Sequence, residues 1–313
     1  MEEAGKLPAR LRAVLEKEYP RFSESEMRRR RLMAALAECA GVDLVLVCGE
    51  QRAGGGVGWL TGWPVTAEAF AVFDPARTSV LFIQHYNHVP LAHRLAAEFE
   101  VRWGGSSTID ALEAELSKRN SKKIGLVGPA SAAKLRRLGE RLELVDLNAA
   151  YVELRLVKSD EELDWVRIGA WLSDLAIGAL HSEVRSDIDE RELWRICENA
   201  YAALGGTTWI HGSPASALVE ASGVIEKAGF ATCDDLVHGF VGGYLPPVLG
   251  SASRPAGPLP ERVLEAGMTI VVQPNVVTRD GRAGVQLGEL VLVTGSGCER
   301  FHRAPTGFLR LGG

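Results

Sequence analysis

The sequence has no apolar run that reaches the ~18 residues needed to cross a bilayer, so no membrane partner is expected. It has no excess of positive charge. Forty Asp and Glu stand against 35 Lys and Arg, for a net charge of −5. A protein that neutralises phosphates is ordinarily basic, so nucleic acid is not an expected partner either. Its five cysteines (Cys39, Cys48, Cys197, Cys233 and Cys298) never stand in a CxxC spacing, which leaves a zinc knuckle or a thioredoxin-type site without support. The first twenty residues open with acids and lack the apolar core of a signal peptide. With an odd number of cysteines, this points to reduced thiols and a cytoplasmic location. Cys39 and Cys48 lie in apolar surroundings and are expected in the core. The Gly-rich stretch Gly49–Pro64 lacks the Lys-Ser/Thr ending of a phosphate-binding loop and reads as an ordinary loop. There is no GxSxG motif or Cys–His pair to supply a nucleophile.

What is present fits a soluble globular chain of about two domains. It has 313 residues, 46% of them hydrophobic and 24% charged. Residues 1–150 alternate apolar strands with helical patterns, including Val42–Cys48, a hairpin of Ala69–Asp74 with Ser79–Gln84, and Lys122–Gly128. That alternation predicts a mostly parallel α/β layer. The run Met27–Arg31 reads as a solvated helix face, and the seven tryptophans as packing residues. Residues 151–313 place helices first and strands afterwards, the order of an α+β layer. Ser159 and Glu162 have the spacing of a capping box. Further helices are expected over residues 189–204 and 216–228, and strands over Met268–Val277 and Gly284–Thr294. His85, His88 and His93 tempt a metal-site reading. A strand end followed by a loop scatters their rings, and no acid or cysteine completes a set.

Four segments in order carry a resemblance: Arg155–Arg167 (RLVKSDEELDWVR), Val237–Gly250 (VHGFVGGYLPPVLG), Leu264–Val277 (LEAGMTIVVQPNVV) and Gly284–Thr294 (GVQLGELVLVT). Together they resemble the aminopeptidase P, prolidase and creatinase family. The resemblance implies a creatinase-like N-terminal α/β domain, residues 1–150, followed by an α+β pita-bread domain, residues 151–313, in abbreviated form. Family peptidases hold two metal ions with two Asp, one His and two Glu. Matched residue by residue, His238 keeps the His position. Gln273, before Pro274, stands where the first Glu belongs, and Gly288 where the second belongs. Glu289 matches the neighbouring Asp position instead. In a strand that step of one residue means the opposite face. The hairpin that supplies the two Asp is missing between the second and third helices. A neutral Gln oxygen does not bridge cations as a carboxylate does, so no metal and no other cofactor is expected.

The expected function is a metal-independent, creatinase-like hydrolase of a small C–N substrate. His238 and Glu289 are the candidate catalytic residues, with His238 as proton shuttle. His211, Gln273 and Tyr244 are candidate substrate-binding residues. By resemblance to family dimers, His88 lines the pocket of a neighbouring subunit, so a homodimer acting on a small molecule or short peptide is expected. Two alternatives stand beside this reading. One is a non-catalytic pseudo-peptidase that binds a ligand or serves as an assembly subunit. The other is a metal-dependent Xaa-Pro aminopeptidase or dipeptidase.

Overall fold

A computed structural model describes residues 23–51, 55–185, 188–202, 204, 231–232, 236–240, 244–249, 263–280 and 284–306. The chain divides into two compact units, with the division between Arg155 and Leu156.

The first unit is built on one six-stranded sheet. Its elements run α1 (Ser23–Ala40), β1 (Leu44–Glu50), α2 (Gly55–Thr61), β2 (Glu68–Phe73), β3 (Val80–Ile83), α3 (Val89–Leu95), β4 (Glu100–Trp103), α4 (Thr108–Arg119), β5 (Lys123–Val127), α5 (Ala132–Gly139), β6 (Glu143–Asp146) and α6 (Asn148–Leu154). The strand order is β4-β3-β2-β1-β5-β6. The β3/β4, β1/β5 and β5/β6 pairs are parallel, while β1/β2 and β2/β3 are antiparallel. The sheet is therefore mixed at its centre, because the predicted hairpin enters it there. Leu44, Leu46, Phe70, Val72, Phe82 and Ile124 pack with Leu112 and Leu116 of α4 and Leu138 of α5 into one core.

Three local expectations change. The Gly-rich stretch is not all loop, since α2 forms over GGVGWLT. Val57, Trp59 and Leu60 are buried there. Trp59 meets Tyr151 edge to face at 5.4 Å, and the Tyr151 hydroxyl donates to the Gly56 carbonyl at 2.7 Å. This packing outweighs the cost of roughly 1 kcal/mol that each glycine imposes on a helix. Cys48 is buried, and burial pushes its thiol up to about 12, but Cys39 is exposed on the outer face of α1. Within the basic run, Arg30 and Arg31 are exposed. Arg29 is buried, with its guanidinium 5.8 Å from the Trp59 ring.

A buried ion network closes the β2–β3 end. Arg119 donates to Asp74 Oδ2 at 2.6 Å, to Glu115 Oε1 at 2.9 Å and to the Thr78 carbonyl at 2.8 Å. Arg102 reaches the other Glu115 oxygen at 2.6 Å. The remaining Asp74 oxygen accepts from the Ala76 and Arg77 amides, both at 2.9 Å, which forms the turn of the hairpin.

The second unit begins with α7 (Asp160–Glu183) and α8 (Glu190–Ala202). The capping box is present. Ser159 Oγ accepts from the Glu162 amide at 3.2 Å, and Glu162 Oε2 accepts from the Ser159 amide at 2.8 Å. The strands are β7 (Ala231–Thr232), β8 (Val237–Phe240), β9 (Tyr244–Leu249), β10 (Thr269–Val272), β11 (Asn275–Val277), β12 (Gly284–Gln286), β13 (Glu289–Thr294) and β14 (Gly297–Arg300). They form a five-stranded sheet, β14-β13-β10-β8-β9, and a three-stranded sheet, β12-β11-β7. Leu163, Val166 and Ala170 of α7 pack on Leu290 and Leu292 of β13 and on Phe301. The helix expected over residues 216–228 and the junction where the family hairpin belongs lie outside the described residues.

The stretch predicted as one strand, Met268–Val277, is two. Proline has no N–H to give a sheet ladder, and Pro274 marks the break. On one side β10 belongs to the larger sheet, and on the other β11 belongs to the smaller. The partner stretch breaks opposite, between β12 and β13. The register is continuous across both breaks, with Val272 opposite Glu289 and Asn275 opposite Gln286. Gln273 and Gly288 thus face each other at the seam between the two sheets.

Candidate functional site

The seam gathers polar side chains that a strand core ordinarily excludes. His238, Thr269, Gln273, Asn275 and Thr232 are all buried, on strands that meet there. His238 lies in β8, an interior strand between β10 and β9, with Val271 opposite it. Its Nδ1 is 2.8 Å from the Gly239 carbonyl. A carbonyl only accepts, so Nδ1 carries the proton, and in the neutral ring the lone pair is on Nε2.

Gly239 is fixed by its neighbours. A Cβ at that position would stand 2.5 Å from the Pro246 carbonyl oxygen and 3.1 Å from that of Leu245. The ladder to β9 is irregular at His238/Gly239, so β9 closes onto a residue without a side chain. The glycine of the His-Gly dipeptide is therefore a packing requirement.

Gln273 donates its amide N–H to the Leu236 carbonyl at 3.3 Å, which ties it to the start of β8. A Cβ built on Gly288 would meet Gln273 Cδ at 3.3 Å and both Cγ and Oε1 at 3.5 Å. The Gln273 side chain thus lies across the position where residue 288 would carry one. Residues opposite each other in a sheet, and residues two apart along a strand, share a face. His238, Val271 and Gln273 are on one face by this count, while Val237, Val272 and Glu289 are on the other.

The structure therefore brings His238 and Gln273 together and separates Glu289 from both. Glu289 accepts from Arg300 Nε at 2.8 Å across the β13/β14 pair. Glu289, a candidate catalytic residue in the sequence, thus lies on the face away from His238. Tyr244 opens β9 opposite Phe240. His211 lies outside the described residues. His88 belongs to the first unit, where its Nδ1 is 2.8 Å from Thr66 Oγ1 and its ring is 5.9 Å from Trp63 and 5.2 Å from His85. Nearby Tyr86 and Trp103 meet at 5.4 Å and are both exposed, so Trp103 is not the core residue its type suggested. Sequence reasoning missed the polar seam itself. Its one signal was Pro274 inside an apolar strand run.

The chain is similar to known proteins in sequence and in fold. A creatinase from Bacillus sp. (strain B-0618) is 26% identical over 197 residues, which is 57% of this chain and 45% of that protein. The chain thus spans about half the length of that curated relative. An Xaa-Pro dipeptidase from Bacillus anthracis superposes with a TM-score of 0.69 at 17% identity, over 91% of this chain and 99% of the dipeptidase. An X-Pro aminopeptidase from Thermotoga maritima gives 0.67 at 16% identity, over 88% and 98%. The prolidase from Pyrococcus furiosus gives 0.65 at 15% identity, over 87% and 99%. The chain is thus similar in sequence to the creatinase and shares its fold with the dipeptidase, aminopeptidase and prolidase structures. No family model matches it.

The residues here do not fit the two bridged cations that the resemblance to the family peptidases implies. Of the two Glu positions, one is a neutral amide and the other has no side chain, and that amide packs into the space of the second. Among the described residues no three His, Cys, Asp or Glu side chains are grouped to hold a metal ion. No helix among them is long and apolar enough to cross a membrane.

Proposed function

We propose that the chain is a metal-independent hydrolase of a small C–N substrate, of the creatinase type, with His238 moving the proton. The supporting observation is the Nδ1–H bond from His238 to the Gly239 carbonyl at 2.8 Å, which fixes the tautomer with Nε2 as the basic atom. In hydrolysis Nε2 takes a proton from the attacking water as its oxygen bonds to carbon. It then returns that proton to nitrogen as the C–N bond breaks. Gln273, buried on the same face, offers a carboxamide that both donates and accepts, suited to orienting a polar nitrogen compound. Glu289, on the other face, is a strand ion pair with Arg300 and takes no part.

The test is hydrolysis of a panel of guanidino compounds, small amides and short peptides, with a chelator present throughout. Turnover that persists in chelator and falls about 10²–10⁴-fold in His238→Ala is expected. Turnover that appears only with added Mn²⁺, Co²⁺ or Zn²⁺ would overturn the reading. A second reading, a non-catalytic ligand-binding relative, is favoured by the separation of Glu289 from His238. Native protein that binds but never turns over any member of the panel would establish it. The chain is further proposed to form a homodimer. Among the described residues both ends of the five-stranded sheet are edges, and β14 is exposed along its length. Scattering at micromolar concentration that gives the mass of one chain would refute this.

A further inference from the structure

We propose that Gln273 and Gly288 are a compensating pair. The Gln273 side chain crowds the point from which a side chain at 288 would start, and this packing closes the His238 face of the seam to a divalent cation. The proposal deepens the metal-independent reading above and rests on it for its functional meaning. Its structural content stands on geometry alone.

The two residues are opposite each other in a register that runs unbroken from Val272–Glu289 to Asn275–Gln286. At such a pair, side chains ordinarily lie side by side. Here one partner has none, and Gln273 Cδ lies 3.3 Å from the position its Cβ would take. That distance is shorter than an ordinary carbon–carbon contact of about 3.5–4.0 Å, so even alanine at 288 must move the amide. Gln273 is 7% exposed and its backbone is held by Leu236, which leaves the side chain as the part that yields. Loss of charge and loss of space thus coincide. A carboxylate restored at 288 alone would push Gln273 aside before it could hold an ion, and one restored at 273 alone would face an empty position.

A double-mutant cycle read by thermal unfolding of the full chain tests the pair. Gly288→Glu is expected to lower the midpoint by roughly 2–10 °C, the scale of overpacking in a chain of this size. In a Gln273→Ala background the same change is expected to lower it by less than half as much. Gly288→Ala, a smaller intrusion, gives the same comparison if Gly288→Glu fails to fold. Equal shifts in the two backgrounds would overturn the proposal. Equilibrium dialysis against Mn²⁺, Co²⁺ and Zn²⁺ chlorides supplies the second arm. The native chain and each of the singles Gly288→Glu and Gln273→Glu are expected to retain no stoichiometric metal. Stoichiometric retention by the native chain would overturn the closure. The unfolding cycle reads contact between two side chains whether or not the chain turns over a substrate. Failure of the pair is therefore distinguishable from failure of the hydrolase reading.

Discussion

The two units bury polar groups in opposite ways. In the first, buried carboxylates and guanidinium groups are closed on one another at the β2–β3 end: Arg119 pairs with Asp74 and Glu115, and Glu115 again with Arg102. In the second, the buried charges Lys158 and Asp164 lie at the start of α7, and the buried polar residues on the strands that meet at the seam include no carboxylate, Lys or Arg: His238, Thr269, Gln273, Asn275 and Thr232. Ten of the twelve largest fully buried side chains among the described residues also belong to the first unit, among them Trp63, Tyr151, Phe73 and Leu44, with only Ile196 and Leu236 in the second. Paired ions closed on each other hold a scaffold and have little left for a ligand. Neutral hydrogen-bonding groups on meeting strands are suited to recognition, because an amide or imidazole can exchange partners without stranding a charge in low dielectric.

The sharpest way to break this comparison is to strand a charge in the first unit. Arg119→Met leaves Asp74 and Glu115 buried without their common partner, and a loss of about 3–5 kcal/mol in denaturant unfolding is expected. Acid probes the same network. Burial pushes the Glu115 carboxyl up, but Arg102 and Arg119 outweigh it and hold the carboxyl below its ordinary range. A folded pKa below the unfolded one gives stabilisation that is complete above the ordinary Glu value of ~4.3. It is lost as pH falls through the lowered folded value. Stability of the native chain should therefore decline below about pH 4, and less steeply in Arg119→Met. A variant as acid-sensitive as the native chain would show that the network is not the source.

In the second unit the largest effect expected is steric, not electrostatic. Gly239→Ala drives a methyl group into the Pro246 carbonyl, 2.5 Å away, and backbone cannot rotate aside as a side chain does. A loss of about 1–3 kcal/mol follows from overpacking. His238 should keep its ring but lose its place in the ladder, so activity should fall with stability. Native stability in this variant would mean that β9 is free to move away from β8.

Much of this was legible from residues alone, and the parts that were not share a cause. The hairpin over Pro75–Arg77, the capping box at Ser159 and the split between alternating and segregated elements all rest on local signals. Ser159→Ala should accordingly cost about 1 kcal/mol, the ordinary worth of an N-cap, wherever α7 packs. What sequence could not supply was burial. GGVGWLT reads as loop until Tyr151 and Trp59 are seen closing over it, and Arg29 reads as solvated until Trp59 lies beneath it. Cys39 and Cys48 look alike in sequence, yet one faces solvent and the other the sheet core. Gly239, next to His238, answers the close approach of β9, which only the strand pairing shows. Of the site, the alternation rule placed Glu289 on the face away from the ligand position. The contact between Gln273 and Gly288 needed the register of two strands.

The smallest effect expected separates two carboxylate roles. If Glu289 served His238, removing its charge would cost about as much rate as removing the imidazole, since a base and its partner act as a unit. The register instead puts it across the sheet, bonded to an Arg300 side chain that is 49% exposed. A pair open to solvent on one side is screened and contributes about 0.2–1 kcal/mol. Glu289→Gln keeps the shape and one acceptor oxygen for Arg300. It should change stability by less than about 1 kcal/mol and kcat/KM by less than about 3-fold, while His238→Ala loses about 10²-fold or more. A loss near 10²-fold would return Glu289 to the reacting face, and would mean that the strand register at the seam differs from the one on which the pairing of Gln273 with Gly288 depends.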